Sequence, residues 1–226
     1  MHTIYNFYPA LPGLQKKLAA VTVLFLLSAC STVYYETMEQ FGIHKRDILV
    51  DRVEQARDSQ EAAKEQFSSA LEQFSALLNF NGGDLQETYE SLNREFEKSE
   101  ERASSVSERI RAVESVSADL FEEWEEELSL YTSQSLRASS ESSLRSTRVR
   151  YEQLVASMHS AENKMTPVIN AFRDQVLFLK HNLNSRAIAS LRTELSTIED
   201  DISELIQDME ASIAESNRFL SELAII

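Results

Sequence analysis

Proline and glycine are nearly missing from this chain, with three Pro and four Gly in 226 residues. Pro9, Pro12 and Gly13 sit at the very start, so past residue 30 the strong helix breakers are Gly42, Gly82, Gly83 and Pro167. A β-rich or α/β domain of this length needs many more turn residues. Cysteine is scarcer still: Cys30 stands alone, which excludes an intramolecular disulfide and a thiolate-rich metal site. No G-x-G-x-x-G, P-loop or H-E-x-x-H pattern occurs. Positive charge is also short, 22 Lys and Arg against 37 Asp and Glu, for a net charge of −15. Such a body is repelled by nucleic-acid phosphates and anionic headgroups, which argues against nucleic-acid binding.

What the chain does have is Glu, Gln, Ala, Leu, Ser and Arg, mostly good helix formers. Its N-terminus reads as an address. Lys16 and Lys17 precede an apolar run from Leu18 to Leu27, then small residues lead to Cys30. Positive charge, a short apolar core and small residues at the cut are the layout of a secretory signal. The run is too short to span a bilayer, which takes about 20 residues. An uncleaved anchor, or a plain signal peptide beside a coincidental Cys, are the rival readings.

The stretch Leu27-Ser28-Ala29-Cys30 resembles a bacterial lipobox. That resemblance implies acylation of Cys30 and cleavage before it, leaving a mature chain that starts at the lipidated residue. Cleavage removes two basic residues and no acid, so the mature charge is −17. Two or more acyl chains hold a membrane stably at about 0.8 kcal/mol per buried methylene. Ser31 follows where an Asp would imply inner-membrane retention, so the lipoprotein sorting rule points to the outer membrane, facing the periplasm. Residues 1–13 make a long leader, consistent with a misassigned start codon.

Beyond the anchor, apolar residues recur at alternating spacings of three and four, the beat of helices that bury a narrow seam. From Leu49 the seam runs Val53, Ala56, Gln60, Ala63, Phe67, Ala70, Phe74 and Leu77; upstream, Tyr34, Met38 and Phe41 fit until a one-residue slip at Lys45. Asn79 to Gly83 closes this helix, and Asp84 with Glu87 three residues later has the spacing of a capping box. A second seam follows: Leu85, Tyr89, Leu92, Phe96, Ser99, Ala103, Val106, Ile110, Val113, Ser117, Leu120, Trp124, Glu127 and Tyr131. Matched lengths on the order of 70 Å and a short loop imply an antiparallel hairpin over 34–131. Residues 132–147 hold seven Ser and read either as a solvated helix or as a connector. The seam then returns through Tyr151, Leu154, Met158, Ala161, Met165, Val168, Phe172, Gln175, Leu179 and Leu183. Pro167 predicts a kink there, or a new start capped by Thr166. Residues 182–185 offer turn chemistry, and a last run through Ile188, Leu191, Leu195, Ile198, Ile202, Leu205, Met209, Ile213, Leu220 and Leu223 completes a second hairpin over 148–226. The expectation is an all-α, elongated antiparallel coiled-coil or helical-hairpin bundle of three to four long helices. The hairpins would form one four-helix body, or lie end to end if the Ser-rich run is helical.

Chemistry is sparse. The residues three before His44, His159 and His181 are Phe41, Ala156 and Phe178, so the Glu-x-x-His pairs of a di-iron bundle do not occur. His44 with Asp47 and His159 with Glu162 lie one helical turn apart, but two ligands make no site and surface pairs are the simpler reading. No catalytic residue, metal or cofactor is assigned. Two surface features remain. Six acids surround Trp124 between Asp119 and Glu127, and Arg137, Arg145, Arg148 and Arg150 form a basic island interrupted only by Glu141. Ordinary solvation explains either; otherwise the acidic stretch would attract cations or a basic partner, and the basic island would bind lipid headgroups, an acidic wall polymer or the acidic Trp124 stretch of a neighbouring copy.

Three segments carry a family likeness: Tyr35-Glu-Thr-Met-Glu-Gln-Phe-Gly-Ile-His-Lys-Arg-Asp-Ile-Leu-Val-Asp-Arg-Val53, Ala63-Lys-Glu-Gln-Phe67 and Asp174-Gln-Val-Leu-Phe-Leu-Lys-His-Asn-Leu-Asn184. They resemble a bacterial lipoprotein family, domain of unknown function 2959. The likeness implies a helical periplasmic protein and supplies no catalytic or binding residues. Together these readings predict a non-enzymatic envelope lipoprotein, tethered through Cys30, that spaces, scaffolds or recruits partners. Self-association or another helical envelope protein would be the contact, with no small-molecule substrate. The Ala224-Ile225-Ile226 end lacks the terminal Lys through which a murein-type lipoprotein attaches to the wall. The alternative is an accessory subunit docking on a membrane efflux or secretion complex.

Overall fold

Stretches free of Gly and Pro become unbroken helices here. The computed structural model describes residues 44–79, 85–192 and 194–223. The leader 1–29, Cys30 and its tether to residue 33, the upstream seam at Tyr34, Met38 and Phe41, the glycines 82 and 83 with Asp84, and the final three residues lie outside the described residues. The chain divides into units 1–45 and 46–226. Of the first, only His44 and Lys45 are described.

Five α-helices occur, and no strand, among the described residues: α1 Lys45–Leu78, α2 Leu85–Glu127, α3 Gln134–His181, α4 Ser185–Leu191 and α5 Leu195–Leu223. At ~1.5 Å per residue, the 48 residues of α3 extend about 72 Å. None of the described helices is long and apolar enough to cross a membrane. Each long helix pairs with two antiparallel neighbours. Ser59 on α1 meets Ser105 on α2 at 3.2 Å; His159 on α3 meets Glu114 on α2 at 2.9 Å. Ser160 donates to Asp208 on α5 at 2.9 Å, and α5 returns to α1 through Ser212 and Gln60 at 3.0 Å. Phe74 on α1 crosses the interior to Phe172 on α3, edge to face at 6.0 Å. The result is one up-down-up-down bundle of four long helices, its hairpins side by side and not end to end.

The α1 seam is buried at all nine expected positions from Leu49 to Leu77. Elsewhere the seam departs from the expected residues. On α2 it rotates after Val113: Val116, Ser117 and Phe121 are buried, whereas Leu120 and Trp124 are half-buried and Glu127 and Tyr131 exposed. The larger Phe121 ring takes the core place, packing edge to face on Tyr151 at 5.3 Å. On α3, Val176 is buried in preference to the amide of Gln175. On α5, the unbroken alternation of threes and fours buries Ser212, Ser216 and Phe219 where Ile213 and Leu220 looked the greasier choice. These serines survive burial because their hydroxyls are bonded, Ser212 to the Gln60 amide oxygen of α1 at 3.0 Å and Ser216 to the Ser212 carbonyl at 2.9 Å.

The Ser-rich run is helix, the opening turns of α3, so the second hairpin begins at Gln134 and not near residue 148. Its start is capped by Ser133, whose hydroxyl accepts from the Leu136 amide at 3.4 Å. Helix α3 passes through Pro167 without a new start. Pro167 and Asn163, whose carbonyl loses its amide partner there, are both exposed, so water can take the missing bond. The chain does turn at 182–184, where Asn184 accepts from the amides of Arg186 and Ala187, both at 3.1 Å, to start α4. Two arginines cover carbonyls at helix ends: Arg192 donates to the Leu78 carbonyl at 2.8 and 3.0 Å, and Arg46 donates to that of Leu223.

Candidate interaction surface

The chain reverses between α2 and α3 without glycine or proline. Glu127 ends α2, residues Leu128–Leu130 tighten into a 3-10 turn, and Tyr131 is extended at φ −67°, ψ 124°. A turn of such residues leaves its side chains nowhere to hide. Leu130 is 76% exposed, Leu136 60% and Tyr131 41%. Leu130, Tyr131 and Glu127 border an open depression of about 310 Å³. Among the described residues, three of the six large exposed apolar side chains gather at this tip; Val149, Leu177 and Phe178 lie elsewhere.

The residues singled out from sequence surround it. Trp124 is half-buried, its indole N–H donating to the Ser140 hydroxyl at 2.8 Å and tying the two arms together. The basic island is largely neutralised by the chain itself. Arg145 pairs with Glu141 at 2.6 Å, Arg148 with Glu125 at 2.7 Å and Arg150 with Glu222 at 3.0 Å. Arg148 also lies 5.0 Å over the Phe121 ring. Arg137 on one arm, and Glu122, Glu126 and Glu127 on the other, make no ion pair among the described residues. The acidic stretch and the basic island are thus the two arms of one hairpin tip. Sequence reading missed Leu130 and Leu136, and placed Tyr131 in the core. A polar Glu127 at a seam position was the available sign that the seam had already ended.

A second cluster bridges the same two helices lower down. His159 has Nε2 at 2.9 Å from Glu114 and Nδ1 at 2.8 Å from Glu162. The hydrogen bond to Glu114, reinforced by that to Glu162, raises the imidazole above its usual range against the opposing effect of burial. Burial acts to raise Glu162, but hydrogen bonds from Ser107 and His159, with the Arg111 charge, hold it below the usual carboxylate range. Glu114, 45 residues from His159, was not foreseen. His44 and Asp47 are both exposed. No group of three or more His, Cys, Asp or Glu able to hold a metal occurs among the described residues.

The family model described as "Protein of unknown function (DUF2959)" matches residues 34–223. No curated protein matches the chain.

Proposed function

The chain belongs to the DUF2959 family, and from that premise we propose that it is a non-enzymatic envelope lipoprotein: a helical rod, acylated at Cys30 and facing the periplasm from the outer membrane, that spaces or recruits other components through its hairpin tip. The observation that carries this reading is the gathering of Leu130, Tyr131 and Leu136 at one turn. Exposed apolar side chains grouped at the end of a charged body are the mark of a contact surface. The lipobox-like segment supports the anchor, and the acidic flanks support a rod that stays dispersed among its neighbours.

In-cell crosslinking from position 136, followed by mass spectrometry of the adducts, tests the reading. Adducts to lipid, to several envelope components or to a second copy support a spacer or scaffold. One stoichiometric adduct to a subunit of a transport complex supports the accessory-subunit alternative instead. Fractionation of the chain with the cytoplasm overturns both.

A further inference from the structure

Resting on the anchor reading above, we propose that the α2–α3 tip is a second membrane contact, with Leu130, Tyr131 and Leu136 seated in the headgroup region of the bilayer that holds Cys30.

The polarity of the bundle carries the inference. Arg46, at the start of α1, donates to the carbonyl of Leu223 at the end of α5. Glu222 pairs with Arg150 of α3, and Tyr151 beside it packs on Phe121 of α2. The start of α1, the end of α5 and these α2 and α3 residues therefore share one level. From Arg150 back to Gln134, α3 continues for 16 residues, which is about 24 Å of helix. Of the described helices only α2 and α3 reach beyond that level, and they do so at the end where the chain arrives from Cys30. The 15 residues from Cys30 to Lys45 span at most about 50 Å when fully extended. That reach exceeds the about 24 Å by which α3 continues beyond this level, so a bilayer gripping the acyl chains can meet the tip.

The chemistry of the tip suits that neighbour. Leucine side chains gain by leaving water for the acyl boundary, and a tyrosine ring sits well where its hydroxyl meets the headgroups. The opening of α3 offers serine hydroxyls, which bond headgroup oxygens without adding charge. With Glu122, Glu126 and Glu127 opposite Arg137, and a charge of −17 once the leader is cleaved, attraction to an anionic surface is not the driving force. The contact is apolar, so zwitterionic lipid suffices and added salt changes it little. A tip-to-tip second copy would cover the same side chains, and its dependence on protein concentration separates it from the bilayer.

Trp124 is the only tryptophan, which makes the test direct. In the full-length acylated chain carrying Trp124→Phe and Tyr131→Trp, the single reporter stands at the turn. The protein is reconstituted into phosphatidylethanolamine–phosphatidylcholine vesicles, with and without bromine on the lipid chains near the headgroup. The expected result is a blue shift on reconstitution and loss of emission in the brominated vesicles, both abolished by Leu130→Asp with Leu136→Asp while the protein still floats with the vesicles. These positions are exposed, so the variant keeps its helical circular dichroism. Flotation with an unquenched reporter overturns the proposal and leaves the anchor standing. A blue shift in detergent that grows with protein concentration overturns it in favour of a second copy. Absence of acyl mass on Cys30 overturns the anchor reading, and the proposal falls with it.

Discussion

Gln60 occupies a core position on α1 with no exposed surface, and replacing it with leucine should make the bundle more stable. Its Oε1 accepts from Ser212 at 3.0 Å, but its Nε2 is buried with no partner. An unsatisfied buried donor costs about 1–3 kcal/mol, which Gln60→Leu recovers with little change of volume. The loss is the bond from Ser212, worth about 0.5–1.5 kcal/mol. Much of that is regained if the Ser212 hydroxyl turns to the carbonyl one turn back. Ser117 makes such a bond at 2.7 Å, Ser99 at 2.8 Å and Ser216 at 2.9 Å in the same core. The balance is a gain of about 1–2 kcal/mol, or roughly 3–6 °C in Tm for a body of this size. Urea unfolding followed by far-ultraviolet circular dichroism should show a higher midpoint at an unchanged slope. Adding Ser212→Ala should change little more. A lower midpoint for Gln60→Leu would refute the reasoning. It would mean that the amide is satisfied, or that Gln60 sets helix register, as a polar seam residue can.

Three further perturbations follow from the packing. Phe74 and Phe172 are fully buried and meet edge to face, so Phe74→Ala should lower unfolding free energy by about 3–5 kcal/mol in the same urea assay. Pro167→Ala restores an amide donor on the exposed face of α3 and should stabilise by about 1–3 kcal/mol, again read from the urea midpoint. For His159 the sign runs one way. Its folded pKa is raised above 6.5, so its contribution is complete below that value and is lost as pH rises through the folded pKa. Glu162, lowered from 4.5, contributes above that value and loses it as pH falls through its folded pKa. His159 is 41% exposed, so solvent screening keeps the effect small. Tm measured from about pH 6 to about pH 8.5 should fall more steeply for the parent than for His159→Gln; parallel curves would contradict the assignment.

The sequence was most legible where one signal decided the outcome. Along α1 every spacing from Leu49 to Leu77 was apolar or amide, helix propensity agreed, and no alternative register competed. It was least legible where two residues vied for one core place. Periodicity named Leu120 and Gln175, whereas the folded chain buried Phe121 and Val176 because neighbouring helices offered room for those side chains. At Ser212 and Ser216 the periodicity was right and hydropathy misled, since a bonded hydroxyl tolerates burial, Ser212 on Gln60 across the core and Ser216 on its own helix. The reversal at 128–133 carried no breaker, so its place fell to the serines that follow it, although those serines are good N-caps and entered α3. The tip and the His159 bridge are tertiary objects. They join residues 16 and 45 positions apart, and only the antiparallel pairing of α2 with α3 brings their members together.

Acylation of Cys30 is what would make this helical body an envelope protein. Intact mass spectrometry of the chain extracted from membranes should show a mature protein that begins at this residue and carries the added mass of a diacylglyceryl group and a further acyl chain. A chain that keeps its leader, or that begins at Cys30 with a free thiol, would contradict it.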